Sequence, residues 1–130
     1  MNSNTILVVD ADKDLRELFR DVLTSKGYEV LVSTCAEDAV KIAKRHGVFA
    51  AFVDIRMPDI DGIQLLKDIK AVRAEAHVIV MTGCTRDECV GEALRLGCFV
   101  CMMKPLKPRD IAGVLDVLEA GFETPTDLAA

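Results

Sequence analysis

The sequence predicts one α/β domain built on a doubly wound, five-stranded parallel sheet. Three observations lead there. Short apolar, β-rich runs recur at 6–10, 29–33, 50–54, 77–82 and 99–103. Amphipathic stretches of helical period separate them. The connections are short, and strict β–α alternation with short loops implies right-handed crossovers within one sheet. At 130 residues and 51% hydrophobic content, the chain is one domain's worth of sequence with apolar material for a core.

The elements follow in order. The first strand, Ile-Leu-Val-Val-Asp at 6–10, leads into Leu15, Leu18, Phe19, Val22 and Leu23, spaced as one helix face. Gly27 stands where a left-handed helix end wants glycine. The second strand precedes a weaker stripe of Ala36, Ala39, Val40 and Ala43, closed by Gly47. The third strand ends at Asp54 and is followed by Leu65, Leu66, Ile69 and Val72. The fourth ends at Thr82, before the stripe Cys89, Val90, Ala93 and Leu94, with Gly97 beyond it. The fifth ends at Met103. Pro108 suits the first turn of a last helix that carries Ile111, Val114, Leu115 and Leu118. Three strands are almost wholly apolar, as in a parallel sheet covered on both faces. Periodicity fails after Glu119, where Thr124, Pro125 and Thr126 appear. Residues 1–121 are therefore read as the domain and 122–130 as a tail or the start of a linker.

Bulk properties narrow the function. A formal net charge of -5, with opposite charges interspersed along the helices, argues against direct nucleic-acid binding by this segment. The only early apolar run, 6–9, is too short for a signal core or a membrane span. Five cysteines, an odd number, suggest reduced thiols and a cytoplasmic location.

Ligands of such sheets bind beyond the carboxyl ends of the strands. Those ends carry Asp10 (with Asp12 just after it), Asp54, Thr82 and Lys104. A carboxylate can attack a phosphoryl group, clustered carboxylates bind Mg²⁺, and a lysine and a hydroxyl can hold phosphoryl oxygens. Any one of these residues alone would pass as a strand-end cap. The four on one edge point to a phosphate-handling pocket.

At this point the sequence resembles the receiver domain of two-component response regulators. The matching residues are Ile6-Leu7-Val8-Val9-Asp10, the segment from Val53 and Asp54 through Arg56, Met57, Pro58, Asp59 and Asp61 to Gly62, Val80-Met81-Thr82-Gly83, and Met103-Lys104-Pro105. The resemblance implies a flavodoxin-like (βα)5 fold with strand order 2-1-3-4-5. It implies that Asp54 accepts a phosphoryl group from a sensor histidine kinase or phosphotransfer protein. Asp10, Asp54 and the backbone carbonyl of Arg56 would form the Mg²⁺ site. Thr82 and Lys104 would bind the phosphoryl group, the Lys104–Pro105 bond would be cis, and Gly62 would open the third helix. The positions of Arg56 and Cys84 modulate phosphoryl lifetime in that family, so oxidation of Cys84 is expected to alter it. The domain would catalyse only its own phosphotransfer and dephosphorylation. It would signal by population shift through the face of the fourth helix, fifth strand and fifth helix, to an output domain, a partner protein or a second copy in a homodimer.

Two departures stand out. Ala11 occupies the place of a second acid that contacts Mg²⁺ directly, so metal affinity should fall, with Asp12 the candidate substitute. Cys101 replaces the Tyr or Phe that turns inward on activation. Both favour an alternative, a pseudo-receiver that serves as an interaction module with weak or no Mg²⁺-dependent phosphorylation. A minor alternative is an Asp-x-Asp phosphohydrolase with Asp10 as nucleophile and Asp12 as general acid.

Cys98 and Cys101 have Cys-x-x-Cys spacing, but they are read first as small core residues. If one strand runs through both, alternation sends them to opposite faces. His46 and His77 are read as surface or edge residues. Met81, Met102 and Met103 are read as core.

Overall fold

The five parallel strands are β1 (Thr5–Val9), β2 (Glu29–Ser33), β3 (Ala50–Asp54), β4 (His77–Thr82) and β5 (Val100–Met103). They lie side by side in the order β2-β1-β3-β4-β5, the predicted flavodoxin-like order. The helices are α1 (Lys13–Ser25), α2 (Ala36–Arg45), α3 (Gly62–Val72), α4 (Glu88–Arg95) and α5 (Pro108–Glu119). This computed structural model describes residues 4–57, 60–83 and 88–121. Cys84 and the predicted tail 122–130 lie outside the described residues. Among the described residues, no helix is long and apolar enough to cross a membrane.

The strand residues alternate between two cores. Leu7, Val9, Ala51, Val53, Val78 and Val80 face one side, where Ala39 of α2, Leu65, Leu66 and Ile69 of α3 and Ala93 of α4 cover them. Ile6, Val8, Ala50, Phe52, Ile79 and Met81 face the other, under Phe19 and Leu23 of α1 and Ile111, Leu115 and Leu118 of α5. Both faces of β1, β3 and β4 are therefore apolar, which explains runs without polar alternation. Phe19 meets Phe52 at 4.7 Å between ring centroids and locks α1 to the sheet centre.

Several boundaries and surfaces differ from expectation. β1 starts at Thr5, and Asp10 lies just past its end, although the Asp10 N–H still bonds the Ser33 carbonyl at 3.3 Å. Phe99 precedes β5 and does not belong to it. Gly27 and Gly97 adopt positive φ, +91° and +95°, but Gly47 does not. The chain leaves α2 through an extended His46 instead. The Arg73 guanidinium covers the last carbonyls of that helix, 2.7 Å from Ala43 O and 3.0 Å from Lys44 O. A side chain from α3's end thus replaces the glycine cap. Met103 is not core: it is 48% exposed, on the outer strand of the sheet. Leu94, expected in the α4 stripe, is 51% exposed, because that eight-residue helix buries only Ala93 fully. A small antiparallel ladder, Arg56–Met57 with Ile60–Asp61, follows β3 and was not predicted.

Candidate functional site

Strand register brings the predicted residues together. Val9 is level with Val53, Asp54 with Met81, and Thr82 with Met103. Asp10, Asp54, Thr82 and Lys104 therefore occupy successive strand ends along one edge. Asp10, Asp54 and Thr82 are 1%, 8% and 2% exposed, the polar exceptions of the core together with Ser33.

Lys104 links the pocket. Its Nζ lies 2.8 Å from Asp10 Oδ2 and 2.8 Å from Asp54 Oδ2. The bond to Asp54 has hydrogen-bond geometry. The approach to Asp10 is a close ion pair, and Asp10 Oδ2 is left without a hydrogen bond among the described residues. Burial works against the lysine's charge, but its bonds to Asp10 and Asp54 outweigh that cost and hold its pKa above the ordinary value. The backbone is fixed as well. Lys104 N–H donates to the Thr82 carbonyl at 2.8 Å, and the Lys104–Pro105 bond is cis.

The other carboxylate oxygens are held from the backbone. Asp10 Oδ1 accepts from Asp12 N–H at 2.8 Å, and Asp54 Oδ1 from Arg56 N–H at 3.0 Å. Each acid thus keeps one oxygen on its own loop and turns the other to Lys104. Arg16 reaches back from α1 to the Asp10 carbonyl at 2.9 Å. Gly62 begins α3 where a Cβ would lie 2.5 Å from Ile55 Cα, so only glycine allows the helix to start against the residue after Asp54. Asp61 caps that helix through Ile63 and Gln64 N–H.

The donor set suits a hard divalent cation in kind, because its side-chain donors are carboxylate oxygens, the buried Asp10 Oδ2 being held by the Lys104 ion pair without a hydrogen bond. It is short in number. Ala11 supplies no side-chain oxygen. Asp12 serves as the N-cap of α1, with its Oδ1 accepting from Asp14 and Leu15 N–H at 2.9 and 3.4 Å. Among the described residues, no three His, Cys, Asp or Glu side chains gather at metal-binding distance.

Cys101 sits in β5 with its Sγ 3.8 Å from Cys98 Sγ and 3.9 Å from the Val90 carbonyl. No single strand runs through both, because β5 begins after Cys98, so the condition for opposite faces is not met, and both thiols belong to one core as first read. The turn at Gly97 brings Cys98 into the core that Cys101 packs against. His46 is exposed. His77 is an edge residue, set edge-on between Phe49 and Phe99.

Sequence reasoning missed Arg16, Arg73 and the cap role of Asp12. The last was findable, since Asp three residues before the first apolar position of a helical stripe is an N-cap signal.

Comparison with known proteins gives the family and the fold. Residues 6–116 match the response regulator receiver domain family. The chain is 31% identical over 106 residues to the chemotaxis protein CheY of Bacillus subtilis, covering 81% of this chain and 88% of that one. It is 28% identical over 106 residues to the response regulator SaeR of Staphylococcus epidermidis, covering 82% of this chain but only 46% of SaeR. The chain thus spans about half of that longer relative. A CheY-like receiver domain structure from Methanospirillum hungatei superposes with a TM-score of 0.82 at 28% identity, covering 88% of this chain and 91% of that one.

Proposed function

The chain belongs to the response regulator receiver domain family, and from that premise we propose that it is a phosphorylation switch with Asp54 as its phosphoacceptor. The observation that carries the reading is the single amine of Lys104, 2.8 Å from an oxygen of each buried carboxylate. The donor is a phosphohistidine on a sensor kinase or phosphotransfer protein. An Asp54 oxygen attacks phosphorus, the P–N bond to the donor imidazole breaks, and that nitrogen takes a proton.

Each Asp54 oxygen has a partner, Oδ1 the Arg56 N–H at 3.0 Å and Oδ2 the Lys104 amine at 2.8 Å. Oδ2 is the attacking atom, because its partner is a flexible side chain that can follow the transferred group. Lys104 then exchanges a carboxylate for a phosphoryl oxygen, and Thr82 offers its hydroxyl from the adjacent strand end. Asp10, Asp54 and the Arg56 carbonyl would hold Mg²⁺. When bound, the ion neutralises the oxygens of the transferred group. The new partner for Thr82 and Lys104 shifts the population of the face made by α4, β5 and α5. Leu94 of α4 and Met103 of β5, both about half exposed, are the apolar side chains these elements offer to an output domain, a partner or a second copy.

A second reading, the interaction module without phosphorylation, draws support from Ala11 and from the engagement of Asp12 in capping α1. The phosphohydrolase reading needs Asp12 as a general acid, and the same cap leaves that reading without support.

The test is intact mass after acetyl phosphate with Mg²⁺. A single phosphoryl adduct, lost in Asp54→Asn, is expected. An adduct that survives in Asp54→Asn, or none in the wild type at any Mg²⁺ concentration, refutes the assignment.

A further inference from the structure

Cys98 and Cys101 carry chemistry that the switch reading leaves unused. Both are free thiols, with Sγ atoms 3.8 Å apart. A disulfide bond is about 2 Å long, so closure asks each sulfur to move by roughly 1 Å. The two thiols are unequal. Cys98 is buried at 7% exposure, whereas Cys101 is half-buried and reachable from outside. The contact between the two sulfurs favours a single thiolate shared by the pair, with the Cys101 pKa lowered by it against the opposing effect of burial. The same contact, with burial, pushes Cys98 up. Because an external oxidant reaches Cys101 first, Cys101 is the attacking thiolate and the buried Cys98 the resolving thiol.

We propose that Cys98 and Cys101 form a redox-active dithiol that takes small-molecule disulfides as its oxidant and closes to an intramolecular disulfide beside α4. The Cys101 thiolate attacks one sulfur of the oxidant. A mixed disulfide forms on Cys101, and the other half leaves as a thiolate. Cys98 gives its proton to solvent and attacks the Cys101 sulfur, displacing the second half as a thiolate. The protein pair loses two electrons, and one external disulfide becomes two thiols.

Closure also has a mechanical consequence. Cys101 Sγ now lies 3.9 Å from the Val90 carbonyl of α4. Drawing it towards Cys98 changes that contact, in a helix that buries only Ala93 fully. Oxidation is therefore expected to alter how α4 sits on β5, on the face assigned above to output. This consequence rests on the switch reading; formation of the disulfide does not.

The experiment treats the full chain, in a Cys35→Ser background that removes an exposed competing thiol, with oxidised glutathione under native conditions. Intact mass and non-reducing peptide mapping follow. The pair is expected to lose two hydrogens, carry a 98–101 link and retain no glutathione there. Cys98→Ala and the bulkier Cys98→Val should instead trap glutathione on Cys101. Phenylarsine oxide, which bridges adjacent thiols, should bind the parent and neither Cys98 variant. A lasting glutathione adduct on Cys101 in the parent, as in the Cys98 variants, overturns the proposal. Altered hydrogen exchange across Glu88–Arg95 in the disulfide form is expected, and unchanged exchange overturns the coupling to α4. Acetyl phosphate labelling of the reduced protein tests the switch reading separately.

Discussion

At the amino ends of its strands the sheet carries a row of rings, and at the carboxyl ends it carries charge. Tyr28, Phe49, His77 and Phe99 line the first edge, with neighbouring centroids 6.1, 5.4 and 6.2 Å apart. Tyr28 OH donates to Glu119, and Lys26 pairs with Asp116 at 2.7 Å, tying the end of α1 and the start of β2 to α5. Backbone hydrogen bonds such as His77 N–H to the Phe49 carbonyl at 3.0 Å and Phe99 N–H to the Val78 carbonyl at 2.7 Å run beneath the ring contacts. The opposite edge sets two buried carboxylates against one amine and leaves Asp10 Oδ2 without a hydrogen bond. Such an edge is costly to fold and gains by taking up a ligand. One sheet thus separates an end that stabilises it from the end proposed above to bind.

The largest expected break in that contrast is Gly62→Ala. Its Cβ would meet Ile55 Cα at 2.5 Å and Ile55 O at 2.8 Å, both backbone atoms that cannot rotate away. Urea unfolding should record a loss of about 3 kcal/mol, at the upper end of overpacking costs. A loss under about 1 kcal/mol would mean that the loop after Asp54 yields freely.

Lys104→Met comes next. It strands both carboxylates, and since the lysine side chain is 25% exposed, part of the cost is screened. A loss of about 2 kcal/mol is expected from the same unfolding assay, below the range for a fully buried pair. Phe49→Leu, at the ring edge, should cost about 1 kcal/mol and leave acetyl phosphate labelling unchanged. A labelling defect there would show that the two edges are coupled.

The smallest effect is on pH. Lys104 has its folded pKa raised above 10.5, so its contribution is complete below 10.5 and is lost as pH rises through the higher folded value. Thermal melts of wild type and Lys104→Met should therefore converge at strongly alkaline pH. A gap that persists there would contradict the ion-pair account.

The sequence revealed the charged edge and hid the aromatic one. Asp10, Asp54, Thr82 and Lys104 each end an apolar run, and the fold rule for parallel sheets places run ends together. Tyr28, Phe49 and Phe99 stand just outside the predicted or observed strands, where period carries no signal, so their row emerges only from strand order and register. Gly47 failed as a cap for a similar reason: Arg73, distant in sequence, took the α2 carbonyls. Alternation says nothing of Cys98, because a turn at Gly97 sets its face before β5 begins.

The most direct test of the central claim is a Mg²⁺ titration of acetyl phosphate labelling on wild type and Ala11→Asp. The chain has no tryptophan, so intact mass replaces fluorescence as the readout. The account predicts a single adduct on Asp54 in both, with half-maximal labelling at roughly tenfold lower Mg²⁺ once the missing carboxylate is restored. Identical Mg²⁺ dependence in the two proteins, or labelling that needs no Asp54, would contradict it.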